Sequence, residues 1–344
     1  MSAAQRLVVA ERRFIAADVG GTHTRVGLVC AGGAGESPVA VLTHRKYACA
    51  EYPDLAAIIA DFIAGIPGGA GDVDSVAIAC AGVMLDGVVV NANLHWRVSS
   101  ADLRRALGLQ RVLFINDFQA AAHAAQCMNP AEATLLTPGV ETNEPGPVLV
   151  VGPGTGLGAA MRVPYRDGTV VLPTEAGHAA FAPGNPRELE VLRWLQRRGG
   201  HVPTEDLVSG PGLVNLYRAL CAIDGRSPQP LDPSQISSAA RDGDPSAREA
   251  VLTFCALLGS VIGDLAVVSS ARSVFIAGGI LPRLKDFIAG SEFLTRLRDK
   301  GAMRPVLERL PVRLIENDRL GVIGAASWYL QHGMEYEMEQ ARGS

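Results

Sequence analysis

Asp117 follows Asn116 where a short apolar run, residues 111–115, ends abruptly. A carboxylate at a strand end can take the proton of an attacking hydroxyl, and in phosphoryl transfer, with its loose transition state, positioning matters more than basicity. Either residue could equally cap the helix that starts there. A second carboxylate, Asp18, stands just before Gly20-Gly21-Thr22, where two apolar runs flank a tight turn. Glycines that accept positive φ would let the chain reverse and aim successive N–H groups at one point, a nest suited to phosphate, with Thr22 and Thr24 adding hydroxyls. Asp18 would then reach Mg2+ or its waters beside a polyphosphate; the alternative is an ordinary hairpin with Asp18 bonding the turn backbone.

Gly154-Thr155-Gly156-Leu157-Gly158 repeats the glycine-rich turn between apolar runs. Glu175 and His178 have the E-x-x-H spacing of a helical metal site, but Pro173 and Gly177 make the stretch a loop. There a carboxylate and an imidazole can hydrogen-bond vicinal hydroxyls, as sugar recognition requires. Glu205 either joins them or opens a helical turn. Gly278-Gly279 is either strand-to-helix punctuation or a place where a flat base lies on bare backbone. No G-x-x-x-x-G-K-[ST] is present. Gly154 to Ala159 fits G-x-G-x-x-A, but Pro164 follows and no amphipathic helix opens, which argues against a dinucleotide site.

Composition narrows the partners. The chain has 344 residues, 48% hydrophobic and 19% charged, with a net charge of −4, so it is globular and carries no electrostatic footprint for nucleic acid or an anionic membrane. A small molecule is the expected partner. Cys30, Cys49, Cys80, Cys127, Cys221 and Cys255 stand apart with no C-x-x-C pair, so neither zinc nor a disulfide framework is expected. The stretch before Phe14 is too charged for a secretory apolar region and no run of 18 apolar residues occurs, which reads as cytoplasmic.

The elements that must position these groups alternate. Strands are expected over 14–29 (a hairpin), 39–42, 73–80, 87–90 and 111–115, with helices from Pro53 to Gly65, from the Ser99/Asp102 capping box to Leu107, and over 118–126. This is α/β with a mixed sheet, and Asp18 and Asp117 fall at carboxyl ends of strands, where such sheets bind ligands. A proline-rich transition over 129–147 precedes a second strand, glycine turn, strand unit (147–151 and 159–163), an internal duplication. Then come a loop over 172–178, helices over 188–196, from Ser209 to Cys221 and over 247–269, a strand over 273–277, a short helix from Pro282, a strand over 312–315, and a helix over 320–330 with a fraying tail.

Asp18-Val19-Gly20-Gly21-Thr22, Ile115-Asn116-Asp117-Phe118, Gly154-Thr155-Gly156-Leu157-Gly158, Glu175 to His178, the Leu207-Val208-Ser209-Gly210-Pro211-Gly212 stretch and Ile276-Ala277-Gly278-Gly279 together resemble the bacterial ATP-dependent glucokinase family, in order and over nearly the whole chain. The resemblance implies an α/β fold of two duplicated actin-like (ribonuclease H-like) domains with mixed sheets flanked by helices and a central cleft. Residues 1–127 with 317–344 would form the small domain, to which the C-terminal helix returns, and 128–316 the large one. It implies ATP as co-substrate with Mg2+ but no zinc, glucose as acceptor, a homodimer, and a place in glycolysis.

By the same resemblance Asp117 is the general base, and Asn93, Asn116, Asp117, Glu175, His178 and Glu205 are similar to glucose-contacting positions. Gly20, Gly21, Thr22, Gly154, Thr155 and Gly156 look like phosphate loops, Gly278 and Gly279 like the adenosine loop, and Asp18 like the Mg2+ contact through water. His23 stands where Asn often follows the first turn, and Ala176 where a glycine often precedes Gly177. The split inventory, with Asp117 and Asn93 in the first unit and Glu175, His178 and Glu205 in the second, implies a bridging sugar. The competing classes are a sugar-sensing regulator on the same superfold, a kinase of another hexose, and an actin-like filament former. The regulator would need a DNA-binding unit that the stretch before Phe14 cannot make.

Overall fold

β1 (Phe14–Val19) is buried along its length except at partly exposed Asp18, so both of its faces must be covered. Period-2 alternation divides the work between two cores. Ile15, Ala17 and Val19 pack with Leu55, Ile58, Ile59 and Phe62, the apolar stripe of the helix Leu55–Ala64. Phe14 and Ala16 face the other way, onto Ala120, Val322, Ala325, Ala326 and Tyr329. Truncating Phe62 to Ala would cost about 3–5 kcal/mol. In this computed structural model the described residues are 13–342, excepting 33–37, 68, 70–72, 91–95, 129–132, 138, 141–144, 167 and 198. The chain divides into two units, 1–130 with 317–344, and 131–316.

In the first unit, β2 (His23–Ala31) and β3 (Val39–Ala48) extend β1 antiparallel on one side. β4 (Ser75–Cys80) lies parallel to β1 on the other. A small antiparallel sheet of β5 (Val83–Leu85), β6 (Val88–Val90) and β7 (Val98–Ser99) follows, and β8 (Arg111–Asn116) then pairs parallel with β4. The large sheet thus runs β3-β2-β1-β4-β8. β3 is longer than expected because Leu42, His44, Arg45 and Lys46 are exposed on an edge strand, where charge protects the unpaired backbone and hides the apolar pattern. The helix Asp117–Cys127 and the C-terminal helix Leu320–Arg342 cover the second face. They meet backbone to backbone: a Cβ on Gly324 would lie 1.9 Å from the carbonyl oxygen of Ala120. The C-terminal helix continues past Leu330 to Arg342, through the stretch from Glu335 expected to fray.

The second unit repeats the plan. β10 (Val148–Pro153) is wholly buried and pairs antiparallel with β11 (Leu157–Tyr165), which pairs with β12 (Gly168–Thr174). β13 (Ser273–Ile276) and β14 (Val312–Leu314) continue parallel, and the short strand Thr134–Leu135 (β9) adds an antiparallel edge. The order is β12-β11-β10-β13-β14-β9. β12 replaces the first part of the loop expected over 172–178. An edge strand tolerates Pro173 and solvent-facing Val170 and Leu172. The helix Pro245–Ser269 is long and apolar enough to cross a membrane, yet Val251, Phe254, Leu257, Leu258 and Ile262 are buried in the second core, as in a core helix. A helix not foreseen, Pro233–Arg241, starts with a full capping box between Asp232 and Gln235.

Candidate functional site

Parallel pairing aligns Val19 with Cys80 and Cys80 with Asn116, so the carboxyl ends of β1, β4 and β8 finish in one row. Two strand spacings, about 10 Å, separate the outer two of these ends. Asn116 takes the capping role: its Oδ1 accepts from Phe118 N at 2.9 Å and Gln119 N at 3.2 Å. Asp117 is the first residue of the helix, its Oδ1 2.9 Å from Phe118 N, where the positive end of the helix dipole favours a carboxylate. The sheet therefore delivers both residues to its carboxyl edge, one as a cap and one beyond it.

Asp18 faces Arg25, Nη1 to Oδ2 3.5 Å, with 24% of its side chain exposed. Burial pushes its carboxyl pKa up, and Arg25 opposes that shift. The first turn of the C-terminal helix closes over it, since a Cβ on Gly321 would sit 2.4 Å from the Asp18 carboxyl carbon. The turn that follows differs from expectation. Gly20 does not adopt the left-handed backbone; its N–H donates to the His23 carbonyl at 3.1 Å and closes the reversal. Cys49, on the segment after β3, holds the turn from inside. Its N–H donates to Thr22 O at 2.9 Å and its thiol to Gly20 O at 3.4 Å. Thr24 is buried against the same sulfur, 3.5 Å away, so its hydroxyl faces inward and only Thr22 is exposed to a ligand. His23 opens β2, and its pKa is pushed down by partial burial first, then by Lys46 and Arg25.

In the second unit the glycine turn, the Glu/His loop and the Gly278 corner come together. Residues 179–181 and 202–204 are laced by Phe181 N to Val202 O and Thr204 N to Ala179 O, which brings Glu205 up to His178. Glu205 Oε1 lies 3.5 Å from His178 Nδ1, and Glu175 Oε2 lies 3.9 Å from Nε2 of the same ring. Glu205 Oε2 accepts from Leu157 N in the glycine turn at 3.1 Å. Gly177 must lack a side chain, because a Cβ there would stand 2.4 Å from Leu157 O. Ala176, the departure beside it, has no left-handed backbone and packs on the core, so the loop is unstrained. Gly278 has φ +100 and a Cβ on it would meet Pro153 O at 2.7 Å, so it is more than punctuation: it lies against the entrance of the glycine turn.

The structure thus brings Asp18, Gly20, Gly21, Thr22, Asn116 and Asp117 to one sheet end of the first unit. It gathers Gly154, Thr155, Gly156, Glu175, His178, Glu205, Gly278 and Gly279 in the second. Asn93 lies outside the described residues. Cys49, Arg25 and Gly321 were not marked by the sequence: Arg25 is the cross-strand partner of Asp18 in the hairpin, while Cys49 and Gly321 act by contacts distant along the chain that no local pattern marks.

A family model for glucokinases matches residues 15–332. A glucokinase-like protein of Xylella fastidiosa (strain Temecula1) is 44% identical over 320 residues, covering 92% of this chain and 94% of its own. The glucokinase of Chromobacterium violaceum is 39% identical over 317 residues, covering 92% of this chain and 88% of its own. Among solved structures, a glucokinase from an Antarctic psychrotroph superposes with a TM-score of 0.81 at 32% identity, covering 92% of this chain and 98% of its own.

Proposed function

Because the chain belongs to the glucokinase family, we propose that it transfers the γ-phosphoryl group of ATP to the 6-hydroxyl of glucose, giving glucose 6-phosphate and ADP. Its fold is the duplicated α/β fold of actin-like sugar kinases, seen here as two sheets of matching strand order. The observation that carries the reading of the chemistry is Asp117, one residue beyond the strand end that shares a row with β1 and its glycine turn. Asp117 accepts the proton of the 6-hydroxyl as the oxygen attacks the γ-phosphorus. It stands at the helix start, where the positive end of the helix dipole suits a carboxylate. Asn116, fixed by its capping bonds, orients the same hydroxyl through its amide.

Glu175, His178 and Glu205 accept and donate hydrogen bonds to the remaining sugar hydroxyls, and Asn93 adds a further amide. Thr22, Thr155 and the backbone N–H groups of the two glycine turns hold the phosphates, and Gly278-Gly279 offers bare backbone to the adenosine. The donor at Asp18 that fits Mg2+ is its hard carboxylate oxygen, for which Arg25, 3.5 Å from Oδ2, would compete. When bound there, directly or through water, the ion neutralises charge on the phosphoryl oxygens. The family reading also carries a cytoplasmic homodimer that supplies glycolysis, which light scattering on the purified chain tests for its assembly.

A coupled ADP-release assay against a hexose panel tests the function. Glucose is expected to give the highest kcat/KM, and no ADP release with any hexose would overturn the reading. Asp117→Asn should keep the fold and sugar binding but lose roughly 10²- to 10⁴-fold in kcat. Turnover near that of the parent in a folded Asp117→Asn protein would remove Asp117 from the role of base.

A further inference from the structure

Glu205 divides its two carboxylate oxygens between two tasks. Oε1 faces His178 Nδ1 at 3.5 Å, on the side of the hydroxyl-binding loop. Oε2 turns to the glycine turn and accepts from Leu157 N at 3.1 Å. That oxygen sits in a slot that exists only because two glycines line it. A Cβ on Gly156 would come within 2.5 Å of it and one on Gly177 within 3.1 Å. The grip extends to the other end of the turn. Five residues on, Gly210 N donates to Gly154 O at 2.8 Å, while Ser209 Oγ donates back to Glu205 O at 2.6 Å and caps the helix Gly210–Ile223. One short segment, 205–210, therefore clamps both ends of the turn and presents its own carboxylate to the hydroxyl-binding side.

We propose that Glu205 is a positioning residue for the nucleotide as well as a sugar ligand, and that sugar and nucleotide affinities are coupled through its carboxylate. The inference rests on the glucokinase reading above. A sugar hydroxyl donating to Oε1 fixes the rotamer of Glu205 and with it the charge-assisted bond from Oε2 to Leu157 N. The turn is then already ordered when phosphate arrives, so the nucleotide binds a site whose ordering cost has been met, and by linkage the nucleotide favours sugar by the same factor.

Isothermal titration calorimetry of the full chain with a non-hydrolysable ATP analogue and Mg2+, with and without saturating glucose, tests this. In the parent protein glucose should tighten the analogue by about 5-fold or more, the usual range of coupling. Glu205→Ala should weaken the analogue without sugar by a similar factor and abolish the coupling. Glu205→Gln keeps an acceptor for Leu157 N, so it should restore analogue affinity without sugar while glucose binding stays weak. Glu175→Ala should weaken glucose alone and retain coupling at saturating sugar. Should Glu205→Ala fail to fold, Gly156→Ala, which crowds Oε2, replaces it and should weaken the analogue in the same way. Unchanged analogue affinity in Glu205→Ala, or in Gly156→Ala where that replaces it, or a parent protein that binds both ligands with no coupling, overturns the proposal. A parent protein that binds the analogue but not glucose overturns the glucokinase reading instead, and the sugar-free comparison then still decides whether Glu205 holds the turn.

Discussion

Gly20-Gly21-Thr22 and Gly154-Thr155-Gly156 each follow a six-residue buried strand and each lead into an antiparallel partner, yet the two turns are held by different means. The first is braced by a buried thiol and a backbone bond from Cys49, directly after β3, which touches both Gly20 and Thr22. The second is braced by a carboxylate, Glu205, and by a helix N-terminus at Gly210, neither of which belongs to the sheet. Duplication therefore preserved the strand order of the sheet and the position of the turn, while the support beneath the turn diverged. A turn held by a partly exposed carboxylate can respond to what that carboxylate binds; one held by a buried thiol is fixed.

The difference in crowding gives the largest expected effect. Gly177→Ala in the second unit would drive a methyl into Leu157 O at 2.4 Å, whereas Gly20→Ala in the first would approach His23 O only to 3.2 Å. Overpacking of the first kind costs about 1–3 kcal/mol. In a unit of this size that lowers Tm by roughly 2–4 °C per kcal/mol. Gly177→Ala should therefore show a clear loss by calorimetry and a raised KM for sugar, with Gly20→Ala close to the parent in Tm. Equal losses in both variants would mean that the two turns are equally crowded.

These positions also show what was legible in advance. The hairpin at Gly20, the strand ending at Asn116 and the repeat at Gly154 were legible because long buried strands write themselves as apolar runs broken by glycine, a local signal. The reason for the glycines was not. Local reasoning assigned positive φ at Gly20, whereas the requirement at Gly177 and Gly321 is close approach of Leu157 and Asp18, contacts made across the fold. Of the pair Asn116-Asp117, Asn116 takes the cap, while Asp117 stands at the helix start. β12 and the extra length of β3 were hidden because an edge strand carries polar, charged or proline residues that erase the alternation. Cys49 carries no spacing signal, and only the return of the chain after β3 places its sulfur beneath the turn.

A smaller effect isolates the thiol brace. Cys49→Ala removes a weak hydrogen bond and a few buried contacts, worth about 0.5–1.5 kcal/mol. It should raise the KM for ATP a few-fold while leaving that for glucose unchanged. Cys49→Ser, which restores a donor at the same atom, should recover part of the loss. If Cys49→Ala shifts the sugar KM and leaves the ATP KM alone, the first turn does not hold phosphate and the likeness between the two turns ends at their sequence.

The smallest expected effect concerns acid. The residue after Thr22 is His23, while the corresponding position of the second turn, after Gly156, is Leu157, so only the first turn carries a titratable group at its exit. Partial burial, with Lys46 and Arg25 nearby, lowers the His23 pKa below its ordinary 6.5. The unfolded chain therefore binds the proton more readily than the folded one, and stability must rise with pH across that interval. The stability that neutral His23 lends is complete above 6.5 and is lost as pH falls through the window from 6.5 down to the folded value. Urea unfolding at pH 8 and pH 5, for the parent and for His23→Asn, separates this from every other titrating group by difference. The parent should lose more stability than His23→Asn between the two values. Adding the ATP analogue should shrink that gap, because phosphate at the first turn favours the protonated ring. A gap of zero, or one of opposite sign, would show that His23 is not penalised in the fold. A gap indifferent to the analogue would place the phosphates away from the first turn.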